Sequence, residues 1–133
     1  MMTGEPCPCG SGEEFALCCE PCLTGSSAPK TAEALMRSRY AAYVREDIAY
    51  LKATLWPKYQ KSFDGPGTAR WAAESHWTGL KVLKTERGEE GDRDGTVLFE
   101  ARYLSGGKLT THRELSLFRK KSGRWYYVEA VPE

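Results

Sequence analysis

Residues 108–131 read KLTTHRELSLFRKKSGRWYYVEAV, two β-type runs (108–120 and 124–131) hinged on Ser122-Gly123. A serine–glycine pair between runs rich in Leu, Phe, Trp, Tyr and Val is the chemistry of a short hairpin. The same grammar stands upstream, with LKVLKTE at 80–86 and TVLFEARY at 96–103 separated by turn residues at 89–95, and with 105–107 leading into Lys108. Four runs on three short connections make an antiparallel meander. Before it the period changes. Leu35, Met36, Tyr40, Tyr43 and Val44 recur at helical spacing, Thr31 stands as an N-cap, and Glu33 falls where the helix dipole favours an acid. Asp47 caps a second short helix carrying Ile48, Leu51 and Leu55, which must stop before Pro57. Residues 58–67 read as a loop, and 68–77 (TARWAAESHW) as a third helix anchored by Trp71. Helices first and meander second give an α+β domain with one sheet face packed on the helices.

The N-terminal end is of another kind. All five cysteines lie in the first 22 residues, four of them in CPCGSGEEFALCC (7–19). A disulfide knot fits poorly, because Cys7 with Cys9 or Cys18 with Cys19 would strain the bridge, and long-way pairing needs an oxidising compartment. Residues 1–6 carry no basic start and no apolar run, so a cytoplasmic, reducing setting is expected, in which clustered cysteines are metal ligands or redox groups. One structural zinc ion on Cys7, Cys9, Cys18 and Cys19 is the best fit; a redox thiol cluster or a metal-free loop are the other readings. Gly10-Ser11-Gly12 lets the chain turn tightly after the first ligand pair and aim amide N–H groups at sulfur. Phe15 is placed to cap the site against water. Cys22 is left over and reads as a spare thiol. The joint at 24–30 (TGSSAPK) divides a knuckle, residues 1–29, from the domain at 30–133.

CPCGSG followed by CC at this spacing resembles the SEC-C motif, a zinc module best known at the tail of the bacterial preprotein translocase motor. A motif of this kind ahead of a compact domain resembles the uncharacterised bacterial YchJ family, and LMRSRYAAYV from Leu35 and THRELSLFRKKSGRWYYVEAV from Thr111 carry that resemblance. The likeness implies a fold like nuclear transport factor 2, a curved four-stranded sheet wrapped over helices into a cone. It implies no biochemical activity.

Composition narrows the function. A chain of 133 residues has room for one core plus an appendage, and no apolar run approaches the roughly 20 residues of a membrane span. Net charge is +1, which supplies no field for nucleic acid. The first 29 residues hold Glu5, Glu13, Glu14 and Glu20 with no lysine or arginine, so the knuckle is acidic and the remainder net basic.

Few side chains offer acid–base chemistry. His112 and Glu114, two apart on a strand, project to one face and could serve as base and orienting acid, the arrangement of dehydratases and isomerases; a hydrogen-bonded polar pair is the plainer reading. His76 reads as a dipole partner at the end of the third helix. Trp56, Trp71, Trp77 and Trp125 are either the bulk of a small core or the walls of a pocket for a planar ligand. Arg119, Lys120, Lys121 and Arg124 crowd one hairpin and read as a solvated turn. Arg37 and Arg39, beside the apolar stripe with Arg45, are expected to pair with a carboxylate such as Glu114 or Glu129.

Two classes of function stand: a zinc-stabilised interaction or scaffold module docking an unknown protein partner, and a small enzyme with its chemistry around His112 and Glu114 in the cone. In the translocase tail the resemblance implies docking on an export chaperone and on acidic lipid head groups, helped by lysines. Here Glu13 and Glu14 follow the glycine turn. Like charges lose the electrostatic steering, so neither membrane nor that chaperone is expected as a partner; a basic patch is, or the chain's own Arg119–Arg124 hairpin.

Overall fold

The computed structural model describes residues 4–133. Its organising element is helix α2 (Ala32–Val44), which begins where Thr31 Oγ1 accepts the Ala34 amide at 3.0 Å. A short helix, α1 (Glu20–Thr24), precedes it in the knuckle, and α3 (Ile48–Ala53) follows under an Asp47 cap that accepts from the Tyr50 amide. Leu35, Met36, Tyr40 and Ala41 are buried, as the helical spacing requires.

Two local readings need correction. Residues 57–62 form a 3-10 turn, and helix α4 runs Gly65–Glu74 rather than 68–77. Asp64 caps the Gly67 amide at 2.9 Å, and Pro66 in the first turn, where its missing N–H costs nothing, starts the helix early. Ser75 is extended, and His76 opens strand β1 by pairing with Leu104. His76 is therefore a strand residue and not a helix-dipole partner. The ladder captures the two residues that helical periodicity had claimed.

Strands β1 (His76–Arg87), β2 (Asp94–Ser105), β3 (Lys108–Lys121) and β4 (Arg124–Val131) form one antiparallel sheet in sequence order. The register sets Phe99 opposite Glu114, Ala101 opposite His112 and Val97 opposite Ser116, so all six share one face. That face turns toward α2. Register shifts at Trp77/Gly79 and Val82/Lys84 in β1, and at Val128 in β4 opposite Leu117/Phe118, curl the sheet. The outer edge of β4 is covered by the segment after α3, where the Trp56 amide donates to Tyr127 O and the Tyr127 amide to Thr54 O, both at 2.8 Å.

The knuckle is built into the same core. Cys7, Cys9, Phe15 and Cys19 are buried with Ala32, Leu35, Met36, Tyr40 and the inward side chains of the sheet. Gly10, at φ +80°, comes so close to β1 that a Cβ there would meet Leu80 O at 3.3 Å. The acidic knuckle thus packs on its own domain, but on α2 and β1, with Glu5 3.5 Å from Arg45. Only its trailing part, Cys22 to Pro29, borders Arg124, across a cavity of about 130 Å3. Among the described residues no helix is long and apolar enough to cross a membrane.

Candidate metal centre and ligand cavity

The knuckle folds by backbone pairing around a tight turn. The Cys7 amide donates to Glu13 O and the Phe15 amide to Glu5 O, both at 2.8 Å, bringing the ends of the cysteine–glycine turn together. Gly10 and Gly12 both take positive φ, which bends the chain back after Cys9. A 3-10 turn (Phe15–Leu17) then delivers Cys18 and Cys19, the latter at the start of α1. The result joins the four sulfurs: Sγ atoms of Cys7, Cys9, Cys18 and Cys19 all lie within 4.8 Å of one another. Cys9–Cys18 is 3.7 Å and Cys18–Cys19 is 3.9 Å. Cys22 lies outside the cluster.

The electrostatics suit a shared charge. The Cys9 thiol is pulled down to about 4, chiefly by its hydrogen bond with Cys19 and further by the Ser11 hydroxyl, while burial pushes Cys7 up to about 11. Cys19, bonded to the Cys9 thiolate and buried, is pushed up strongly. Arg37 stands guard beside Cys9. Its Nη1 donates to Cys9 O at 2.7 Å and lies 3.9 Å from Cys9 Sγ, and its Nε donates to Glu33 at 2.9 Å. Burial alone would lower the Arg37 pKa, but Glu33 and Cys9 together raise it. Phe15 is 6% exposed, sealed beneath the Arg45 guanidinium 4.4 Å from its ring centre.

Across α2 lies the second site. Positions 37 and 39 of a helix point about 200° apart, so Arg37 faces the knuckle and Arg39 faces the cone. Neither pairs with Glu114 or Glu129 as the sequence led one to expect. Glu129 is exposed, and Arg39 Nη1 donates instead to Leu51 O at 2.9 Å and Thr54 Oγ1 at 2.7 Å, with its guanidinium 4.7 Å from the Tyr127 ring centre. Arg39, His112 and Glu114 line a cavity of about 240 Å3 in the concave face of the sheet.

Its walls are aromatic: Tyr43, Trp71 and Trp77 meet pairwise with ring centres 5.2–5.4 Å apart. Its floor is polar. Glu114 Oε2 accepts from Ser116 Oγ at 2.6 Å and Tyr127 Oη at 2.8 Å, and Oε1 lies 3.0 Å from His112 Nε2. A carboxylate only accepts, so His112 Nε2 is the donor in this bond and Nδ1 takes no part in it. Burial, and then Glu114, push the Tyr127 phenol well up, which holds it as a donor. The pair is therefore more fully supported than sequence reasoning allowed. Ser116 was legible as the third member of a period-2 row with His112 and Glu114. Tyr127 was not, since it reaches the floor from the neighbouring strand beside a register shift.

The remaining aromatic residues divide. Trp71 and Trp77 are cavity walls, while Trp125 is core, its indole donating to Lys30 O at 3.1 Å, and Trp56 packs edge-on to Tyr126. In the basic hairpin, Lys120 sits over Trp125 and Lys121 over Trp56, so these charges cover the chain's own rings.

Residues 31–130 match the family model described as YchJ, middle NTF2-like domain, and residues 5–21 match the SEC-C motif. A UPF0225 protein of Geobacter sulfurreducens is 48% identical over 123 residues, covering 92% of this chain and 76% of its own. A UPF0225 protein of Xanthomonas oryzae pv. oryzae is 41% identical over 130 residues, covering 97% and 96%. Among solved structures, a SEC-C motif containing protein from Rhodopseudomonas palustris superposes with a TM-score of 0.88 at 40% identity over 96% of this chain and 98% of that one. One from Psychrobacter arcticus gives 0.83 at 28% identity over 97% and 84%. The chain belongs to the UPF0225 family of YchJ-like bacterial proteins, with a SEC-C cysteine cluster set into the core of an NTF2-like domain.

Proposed function

We propose that the cluster holds one zinc ion in a structural role, and that this brace supports a ligand cavity in the cone where the protein acts. The donor set fits. Four thiolates at about 2.3 Å from a tetrahedral zinc place their sulfurs about 3.8 Å apart, close to the separations of Cys9, Cys18 and Cys19. Bound zinc would supply charge and cross-linking there and no open coordination position. The ligand thiolates require a reducing compartment, which suits the cytoplasm.

One observation carries the division of labour: the cysteines and Phe15 share a single core with α2, whose other side lines the cavity. A knuckle whose sulfurs face inward is a brace first. An interaction module for a separate partner has less to rest on, since Phe15 and three of the four cluster cysteines are turned away from solvent. Elemental analysis of protein purified under reducing conditions tests the metal; one zinc per chain is expected, and an ordered knuckle without metal would end this reading.

A second reading, acid–base catalysis, is favoured by the Nδ1 of His112, left out of that bond, in a cavity where Glu114 orients the ring. His112 Nδ1 would take a proton from a bound substrate while Glu114 steadies the resulting imidazolium. Loss of turnover in His112→Ala with unchanged melting would favour it over binding alone.

A further inference from the structure

Arg39 is a guanidinium set in the wall of the cone with no carboxylate within ion-pair distance among the described residues. Both of its hydrogen bonds leave from Nη1 and go to neutral oxygens, a backbone carbonyl and a hydroxyl. Nε and Nη2 retain three N–H donors. Among the described residues the side-chain atoms that are both inaccessible and unpartnered are Ser75 Oγ and Trp77 Nε1; the free nitrogens of Arg39 are not among them, and Arg39 lines the cavity. Glu114, the one carboxylate in the lining, acts on Arg39 through space but does not bond to it, and its oxygens are held by Ser116, Tyr127 and His112. An enclosed arginine without a counter-ion is rare, and the cost of its burial is normally met by a paired anion.

We propose that the cone cavity binds a small monocarboxylate with a planar apolar body, its carboxylate on the Nε–Nη2 edge of Arg39 and its body against Trp71, Trp77 and Tyr43. The fork of two N–H groups matches a carboxylate in bidentate geometry. The edge-on rings offer flat apolar walls, and about 240 Å3 exceeds the roughly 150 Å3 that accommodates benzene in a dry cavity, leaving room for a ring with a short acidic arm. Trp71, 37% exposed, stands where a ligand would enter. A cationic ligand would meet the guanidinium head-on.

The inference rests on the reading of the cavity as the ligand site, and the experiment separates the two. Zinc-loaded full-length protein is titrated with benzoate and phenylacetate and with the neutral benzamide and phenylacetamide. Proton–nitrogen NMR follows the indole N–H of Trp71 and Trp77 and the Nε–H of Arg39. The acids are expected to bind at least about tenfold more tightly than the amides, the scale of one charged hydrogen bond, and to move the Arg39 Nε–H. Arg39→Lys, which keeps the charge and loses the fork, should weaken the acids several-fold and leave the amides unchanged. Arg39→Met should bring the acids to the level of the amides. Because Nη1 also ties down the end of α3, the wild-type Nε–H shift stands as the measurement if Arg39→Met does not fold. Equal affinity of acids and amides, or Trp71 shifts without any at Arg39, overturns the carboxylate and leaves the cavity as a ligand site. Silence of every cavity resonance with all four probes overturns the cavity as well.

Discussion

Replacing Phe15 by alanine tests whether the knuckle is part of the fold or an attachment. The ring is 6% exposed and packed in the cluster that contains Cys9, Leu35 and Tyr40, with Arg45 across its outer face. Truncating a buried phenylalanine costs about 3–5 kcal/mol through lost transfer energy and the cavity left behind. Loss of the Arg45 contact adds about 0.5–1 kcal/mol. In a chain of this size each kcal/mol moves Tm by about 3–5 °C, so the melting of the whole molecule should fall by roughly 10–30 °C. The four ligand sulfurs are untouched, so zinc content should hold near one per chain while stability drops. Thermal unfolding is followed by far-ultraviolet circular dichroism for the sheet and by fluorescence of the cone tryptophans. Both should shift together, because the damaged core is common to both. A cone that melts within about 2 °C of wild type would refute the shared-core argument.

Chelation should unfold residues 5–24 and also make the amides of α2 exchange faster, since the knuckle covers one of its sides; hydrogen exchange of Leu35 and Tyr40 with and without a chelator reads this. Acid should release the metal as the thiolates protonate, so zinc retention ought to fall as pH is lowered, measured by a chromogenic zinc indicator. Tyr127→Phe removes one of the two hydroxyls on Glu114 Oε2 and should destabilise by about 1.5–3 kcal/mol in a denaturant titration, whereas Tyr126→Phe should be near neutral. The zinc-loaded chain should not bind an export chaperone or anionic vesicles at low salt, given Glu13 and Glu14 after the glycine turn; micromolar binding to either would show that the charge argument fails.

The meander and the two capped helices were legible because their signals are local. Thr31 and Asp47 cap where they stand, and turns at 105–107 and 122–123 fix the hairpins whatever packs on them. The clustering of the four cysteines was legible for the same reason: their convergence needs one glycine turn and one helical turn. What the sequence did not disclose is set by tertiary contact. His76 and Trp77 follow a helical pattern, but the partner strand claims them, and Trp77 then becomes a cavity wall. Arg37 and Arg39 look alike beside one apolar stripe, and no local rule tells which neighbour each will meet.

That last ambiguity explains the helix itself. A helix with one buried side keeps its charges on the other; α2 is covered on both, so its arginines must leave the core by different routes. Arg37 goes to the knuckle and ends on Cys9 O, with Glu33 and then Cys9 answering its charge. Arg39 goes to the cone and ends on neutral oxygens, with Glu114 acting on it only through space. The asymmetry is physical: of two partly buried guanidiniums two residues apart, one is ion-paired and the other is not. The zinc proposed here would account for the first side, since four thiolates around a dication leave net negative charge for Arg37 to meet. A bound anion is what would complete the second.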